Sequence, residues 1–238
     1  MKRNSAPNTK RRTAENLQTR KRGSHFMEWQ DRIPEDIRDL YEIHNYHHAA
    51  EVLATSYQQE FDEIMNALRN FRISEADLMA GGGNESTIPK KFSEMLRPLS
   101  WYETKIQGDL LIRKIVSGNG AGQTIAEELK IEKFLDGHKV DYVKNQVAFD
   151  LEWNSKDQTF DRDLYAFRAF HECRIIGAAV LVTRAEAMNE VFRRLGIMAK
   201  YGASTTWMGK LLYRLNAGRN GGCPVLVFGI TPKVINGG

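Results

Sequence analysis

Asp141, Asp150 and Glu152 are the residues whose types and spacing most directly suggest chemistry. They lie in the stretch 139–156, where two apolar, β-branched and aromatic runs, 140–143 and 147–153, flank Lys144, Asn145 and Gln146. That pattern predicts a β-hairpin closed by a tight turn. Strand side chains alternate between faces, so Asp150 and Glu152 point to one side, roughly 7 Å apart at ~3.4 Å per residue, and Phe149, Leu151 and Trp153 to the other. Acidic groups crowded on one face repel by about 1 kcal/mol per pair near 4 Å in bulk water, and by several times more at lower dielectric. A divalent cation offsets that repulsion, and hard cations such as Mg²⁺ take carboxylate and carbonyl oxygens. An ion held this way lowers the pKa of a bound water and neutralises charge on a transferring phosphoryl group, as phosphodiester hydrolysis requires. The DxE spacing is short, and on that spacing alone a half-solvated strand with polar residues facing water is the more common account of it.

Wider matches go further. An Asp, an apolar strand with paired acidic positions and a long helix predicted over 160–174 resemble the PD-(D/E)xK nuclease core, specifically the type II restriction endonucleases of the BglII and BamHI kind. The nine-residue separation of Asp141 from Asp150, the run DYVKNQVA at 141–148 and the segment YHHAAEVL at 46–53 are similar to stretches of the BglII group. The likeness covers most of residues 40–230. It implies a sequence-specific double-stranded DNA endonuclease of a bacterial restriction–modification system, cytoplasmic and dependent on Mg²⁺. Cutting both strands of a palindrome needs two active sites, so a C2 homodimer is the expected form.

The resemblance also implies roles. Asp141 and Asp150 correspond to metal ligands, joined by the main-chain carbonyl of Leu151, and Glu152 to the group that orients the attacking water. Most of the superfamily carries a Lys where this chain has Glu152, as the BamHI kind does; Lys156 is the competing cation, although Asn154 and Ser155 should end the strand first. Glu103, after Trp101 and Tyr102, is the candidate fourth carboxylate, expected at a helix end or loop. DNA contacts are expected from Asn154, Ser155 and Lys156 beyond the strand, and from Thr205, Thr206, Lys210 and Arg219 on a helix and a Gly-rich loop, all types able to reach phosphates or base edges. A catalytically silent DNA-binding protein of the same fold, or a nuclease specific for branched junctions, are the alternatives.

Positioning such a site takes a scaffold, and the sequence predicts one. Apolar positions such as Ile37, Leu40, Ile43, Phe61, Ile64 and Leu68 recur at helical spacing between 34 and 71, reading as two or three helices. Phe160, Leu164, Phe167 and Phe170 form one face of a helix that packs on the sheet. The nearly continuous apolar runs 175–182 and 225–230 read as strands buried on both faces, with a helix over 185–195 between them. The expected fold is α/β, a central mixed β-sheet flanked by helices. A single endonuclease domain is expected over 27–238, with a helical part at 34–72 and a catalytic core at about 95–232.

Charge needs dividing before use. Residues 1–26 hold eight Lys or Arg and one Glu, a local charge of +7, which leaves the rest at −3 within the total of +4. Basicity is thus a property of the polar tail, expected to be disordered: a phosphate-gripping arm, a solubilising extension, or residues upstream of a start at Met27. Cys173 and Cys223 lack CxxC spacing, which suggests a reducing compartment and no zinc site. No apolar run reaches the ~20 residues of a membrane span. His44, His47 and His48 read as surface or capping residues, and Gly81–Gly83 as a flexible loop without a phosphate-binding ending.

Overall fold

The apolar runs 147–152, 178–184 and 225–230 are buried at every position and form the centre of a six-stranded sheet. The computed structural model describes residues 28–80, 87–118 and 121–236. Its strands are β1 (Tyr41–Tyr46), β2 (Tyr102–Gly118), β3 (Ala121–Lys144), β4 (Val147–Glu152), β5 (Ala178–Arg184) and β6 (Val225–Ile230), in the order β1-β6-β5-β4-β3-β2. β4, β5 and β6 run parallel; β1 pairs antiparallel with β6, β3 with β4, and β2 with β3. The sheet is therefore mixed, as expected. The basic tail and the Gly81–Gly83 loop lie outside the described residues.

Helices cover both faces. On one lie α1 (Glu35–Leu40), α2 (Ala49–Ser56), α3 (Gln58–Asn70), α4 (Glu75–Met79), α5 (Thr87–Leu96) and α7 (Met188–Arg194), packed on Phe149, Leu151, Val180 and Phe228. On the other lie α6 (Thr159–Glu172) and α8 (Met208–Asn216), where Phe160, Leu164, Phe167, Phe170, Leu211 and Leu215 pack on Ala148, Leu181 and Val227. The α6 stripe falls on the predicted face. Successive β4 residues serve opposite layers, so the strand that carries Asp150 and Glu152 toward α6 sends Phe149 into a ring cluster with Phe92, at 5.2 Å, and Tyr142, at 5.8 Å.

One expectation is corrected. Residues 41–46 are a strand, although Ile37, Leu40 and Ile43 share helical spacing. Tyr41 and Ile43 also alternate with Glu42 and His44, and an edge beside β6 satisfies the period of two. His44 and His48 each lie beside a single carboxylate, Glu42 at 2.8 Å and Glu51 at 3.3 Å. Among the described residues, the outer part of the long ribbon of β2 and β3 pairs with no third strand. Its register shifts at five points, which breaks the alternation by which a strand is read.

Candidate active site

The turn of the hairpin is fixed before its carboxylates are placed. Asn145 takes a left-handed backbone, φ 48°, and β3 pairs with β4 through Tyr142–Phe149, Val143–Ala148 and Lys144–Val147. α3 grips the turn from outside: Lys144 Nζ lies 2.6 and 2.8 Å from the two Glu63 oxygens, Trp101 Nε1 donates to Glu63 Oε2 at 2.8 Å, and Asn145 donates to Glu60. Glu63 carries a carboxyl held below its ordinary value, because these donors outweigh the cost of its partial burial.

The ladder stops at Tyr142–Phe149. In the next rung Asp141 faces Asp150, and there the Asp150 side chain replaces the main chain: Asp141 N–H donates to Asp150 Oδ1 at 3.0 Å. Opposite residues of an antiparallel pair share a face, so both carboxylates open to one side. They line a cavity of about 230 Å³ together with Glu103, Gly137, Lys139, Arg162 and Asp163.

The cavity is acidic and partly dry. Asp150, Glu152 and Asp163 are buried, while Asp141 reaches solvent. Desolvation, then the charges of Asp141 and Asp163, hold the Asp150 carboxyl well above its ordinary value. Burial and Glu152 push Asp163 up to about 8 and raise Asp141 as well. Arg162 is the counter-charge, with Nη2 3.0 Å from Asp163 Oδ1 and 3.4 Å from Glu152 Oε1. Glu152 does not line the cavity and is joined to it through Arg162; it also accepts from the Thr159 hydroxyl at 3.2 Å. Asp163 Oδ2 is buried and has no partner. Among the described residues, no three acidic, histidine or cysteine side chains stand grouped tightly enough to hold a metal ion.

Glu103 reaches the cavity from β2 rather than from a helix end or loop, and pairs there with Lys139 at 2.8 Å. The two segments expected to touch DNA meet: Lys156 bridges Thr205, Thr206 N–H donates to Ser155 O at 2.8 Å, and Asp157 N–H to Ser204 O at 2.9 Å. Arg184, buried at the end of β5, braces this seam by donating to Tyr201 O at 3.1 Å and Thr205 Oγ1 at 2.7 Å. Lys156 is exposed at the seam and does not line the cavity. Asn154 turns the chain there with φ 57° and a buried, unpartnered Oδ1. Thr206, expected at the DNA surface, is 0 % exposed and belongs to the interior of the seam. Lys210 lies 3.4 Å from Asp157, and Arg219 pairs with Asp161.

The family model described as restriction endonuclease BglII/BglIII matches residues 41–230, which spans every strand of the sheet. The chain belongs to this family. A search of individually curated proteins found no match. Family membership makes the protein a restriction endonuclease with DNA as its substrate. Among its described residues no helix is long and apolar enough to cross a membrane.

Sequence reasoning about this endonuclease missed Asp163 and Arg162. The signal for Asp163 was present: it stands three residues after Phe160 and four before Phe167, on the apolar stripe of α6, where a carboxylate has no structural reason to be. The run Asp161-Arg162-Asp163 hid it by reading as an ordinary solvated turn of helix.

Proposed function

We propose that this restriction endonuclease hydrolyses phosphodiester bonds of double-stranded DNA at the cavity framed by Asp141 and Asp150, with Mg²⁺ as its metal. The observation that carries the reading is the interrupted ladder, in which the strands part at the one rung that places two carboxylates face to face. The donor set fits a hard cation. Asp141, Asp150 and the Leu151 main-chain carbonyl would hold it, and all three offer oxygen, which favours Mg²⁺ over softer metals. When bound, the ion supplies a water of lowered pKa and neutralises charge on the phosphate.

The remaining work falls to the chain's own groups. Glu152, which meets the cavity only through Arg162, is a positioning group: its carboxylate, held by Arg162 and Thr159, fixes the guanidinium at the cavity wall. Arg162 and Lys139 supply the positive charge that most of the superfamily takes from a Lys at the Glu152 position. Glu103, at the cavity wall, steadies Lys139. The seam of 154–157 with 204–206 presents Asn154, Ser155, Lys156 and Thr205 to the duplex, with Lys210 and Arg219 beside it on the phosphates. Two copies related by a two-fold axis cut the two strands.

Incubation of supercoiled plasmid with Mg²⁺ tests the reading: discrete fragments are expected, and Asp150→Ala loses them. A catalytically silent DNA-binding protein of the same fold is the second reading. Tight DNA retention without nicking would establish that alternative, and preference for branched over linear duplex would make the protein a junction nuclease.

A further inference from the structure

Arg184 is a buried cation with no counter-charge among the described residues. It ends β5 and is 1 % exposed. An arginine is almost never fully buried unless paired, yet no carboxylate of the described residues forms an ion pair with it. The rings of Phe192 and Tyr201 lie against it, their centroids 5.5 and 5.8 Å from the guanidinium carbon. Of the five N–H donors of a guanidinium, three are used: Nη1 donates to Asn189 Oδ1 at 3.3 Å, and Nη2 to Tyr201 O at 3.1 Å and Thr205 Oγ1 at 2.7 Å. The Nε–H is buried and has no partner. Neutral acceptors orient a guanidinium but do not balance its charge, and burial pushes its pKa down to about 10.

This cation borders a cavity. A space of about 140 Å³ lies at the end of β5, lined by Arg184, Asn189, Tyr201, Ala203 and Trp207, and it shares no residue with the acidic cavity of Asp141 and Asp150. The Trp207 ring is seated there because Gly209 has no side chain: a Cβ at that position would fall 2.4 Å from the ring. Ala203, on the cavity wall, has a main-chain N–H that donates to none of the described residues. Glu186 also lines the space, but it is exposed and makes no ion pair with Arg184. The Tyr201 and Trp207 walls lower the local dielectric, which strengthens any ionic contact made inside.

We propose that this cavity binds a phosphate group bearing no more than one substituent, with Arg184 as its anchor. Charge selects an anion, and a guanidinium offers phosphate oxygens several donors at once. Phosphate is also the anion of the substrate that family membership supplies. Size narrows the choice further: at roughly 30 Å³ per water-sized group the space takes about five non-hydrogen atoms, the count of a phosphate ion. An internal phosphodiester continues on both sides and needs two openings, whereas a terminal phosphate needs one and the free ion none. Arg184 fastens the loop at Tyr201 and Thr205, so the occupied cavity ties an anion to the seam of 154–157 with 204–206.

Calorimetric titration of the full chain with inorganic phosphate, at constant ionic strength in chloride and without added metal, tests the proposal. One site per chain is expected, and Arg184→Gln is expected to abolish it. Asn189→Asp guards against a loss caused by unfolding, because it keeps the side chain's size and places a carboxylate where Nη1 already finds an oxygen at 3.3 Å. With the charge balanced from within, that variant should bind phosphate about tenfold more weakly or worse. A parent that takes up no phosphate, or an Asn189→Asp variant that binds it as the parent does, overturns the proposal. Competition by short duplexes with phosphorylated or hydroxyl ends identifies the source. Displacement by phosphorylated ends alone assigns the cavity to a DNA terminus, and displacement by neither leaves the free ion as its occupant. Displacement by both alike overturns the limit of one substituent.

Discussion

The two ends of β3 treat alternation in opposite ways. At its base, Tyr142 packs in the core while Asp141 faces Asp150, because helices cover one side of the hairpin and a cavity opens on the other. In the outer ribbon, Ile125, Leu129 and Ile131 lie among charged residues with the alternation broken by register shifts, and among the described residues no layer receives them. Alternation therefore sorts side chains only between environments that the rest of the fold provides. The acidic face becomes a site because α6 closes over it, with Asp163 and Arg162 in its first turns.

Several substitutions sharpen or break that contrast. The largest stability effect should come from the core side of the hairpin: Phe149→Ala removes a fully buried ring between Phe92 and Tyr142 and should cost about 3–5 kcal/mol, read as a fall in melting temperature. A loss under about 1 kcal/mol would mean that the hairpin is not anchored by that layer.

On the cavity side the sign reverses. Asp163 has a folded-state pKa of about 8 against an ordinary 3.8, so between those values the unfolded chain sheds a proton that the folded one keeps. In the metal-free protein the contribution of Asp163 to stability is fully present below about pH 4 and is lost as pH rises toward 8. Asp163→Asn, which carries no proton to lose, should flatten that slope and stabilise the protein at pH 8 by on the order of 2 kcal/mol. A pH profile unchanged by the substitution would show that the carboxyl is not confined as described.

At the turn, Glu63→Ala leaves Lys144 and the Trp101 indole without their acceptor and should cost about 1–3 kcal/mol. The smallest effect belongs to the outer ribbon, where Arg113→Ala breaks an exposed ion pair with Glu128 and should change stability by less than about 1 kcal/mol.

The legible parts of this molecule were those where one physical signal stood alone. The continuous apolar runs of β5 and β6 have no reading but burial on both faces, and the α6 stripe repeats without interruption through Phe160, Leu164, Phe167 and Phe170. The hairpin was legible because β-branched runs flank a polar turn. What escaped carried two signals at once. Ile43 satisfied helical spacing and strand alternation together, and only a partner strand, β6, decides between them. The ribbon lost its period of two at each bulge. Thr206 has the chemistry of a DNA contact, but its neighbours zip onto Ser155 and Lys156 and draw it inside. Asp163 was masked by adjacent charges that face solvent.

Diffraction from crystals of the DNA complex grown with Mn²⁺ in place of Mg²⁺ reaches the central claim most directly, because the anomalous signal reports the ion itself. The account predicts a peak bound by the carboxylates of Asp141 and Asp150 beside a backbone phosphate. A peak elsewhere on the chain, or DNA cut in the crystal with none between those two residues, would contradict it.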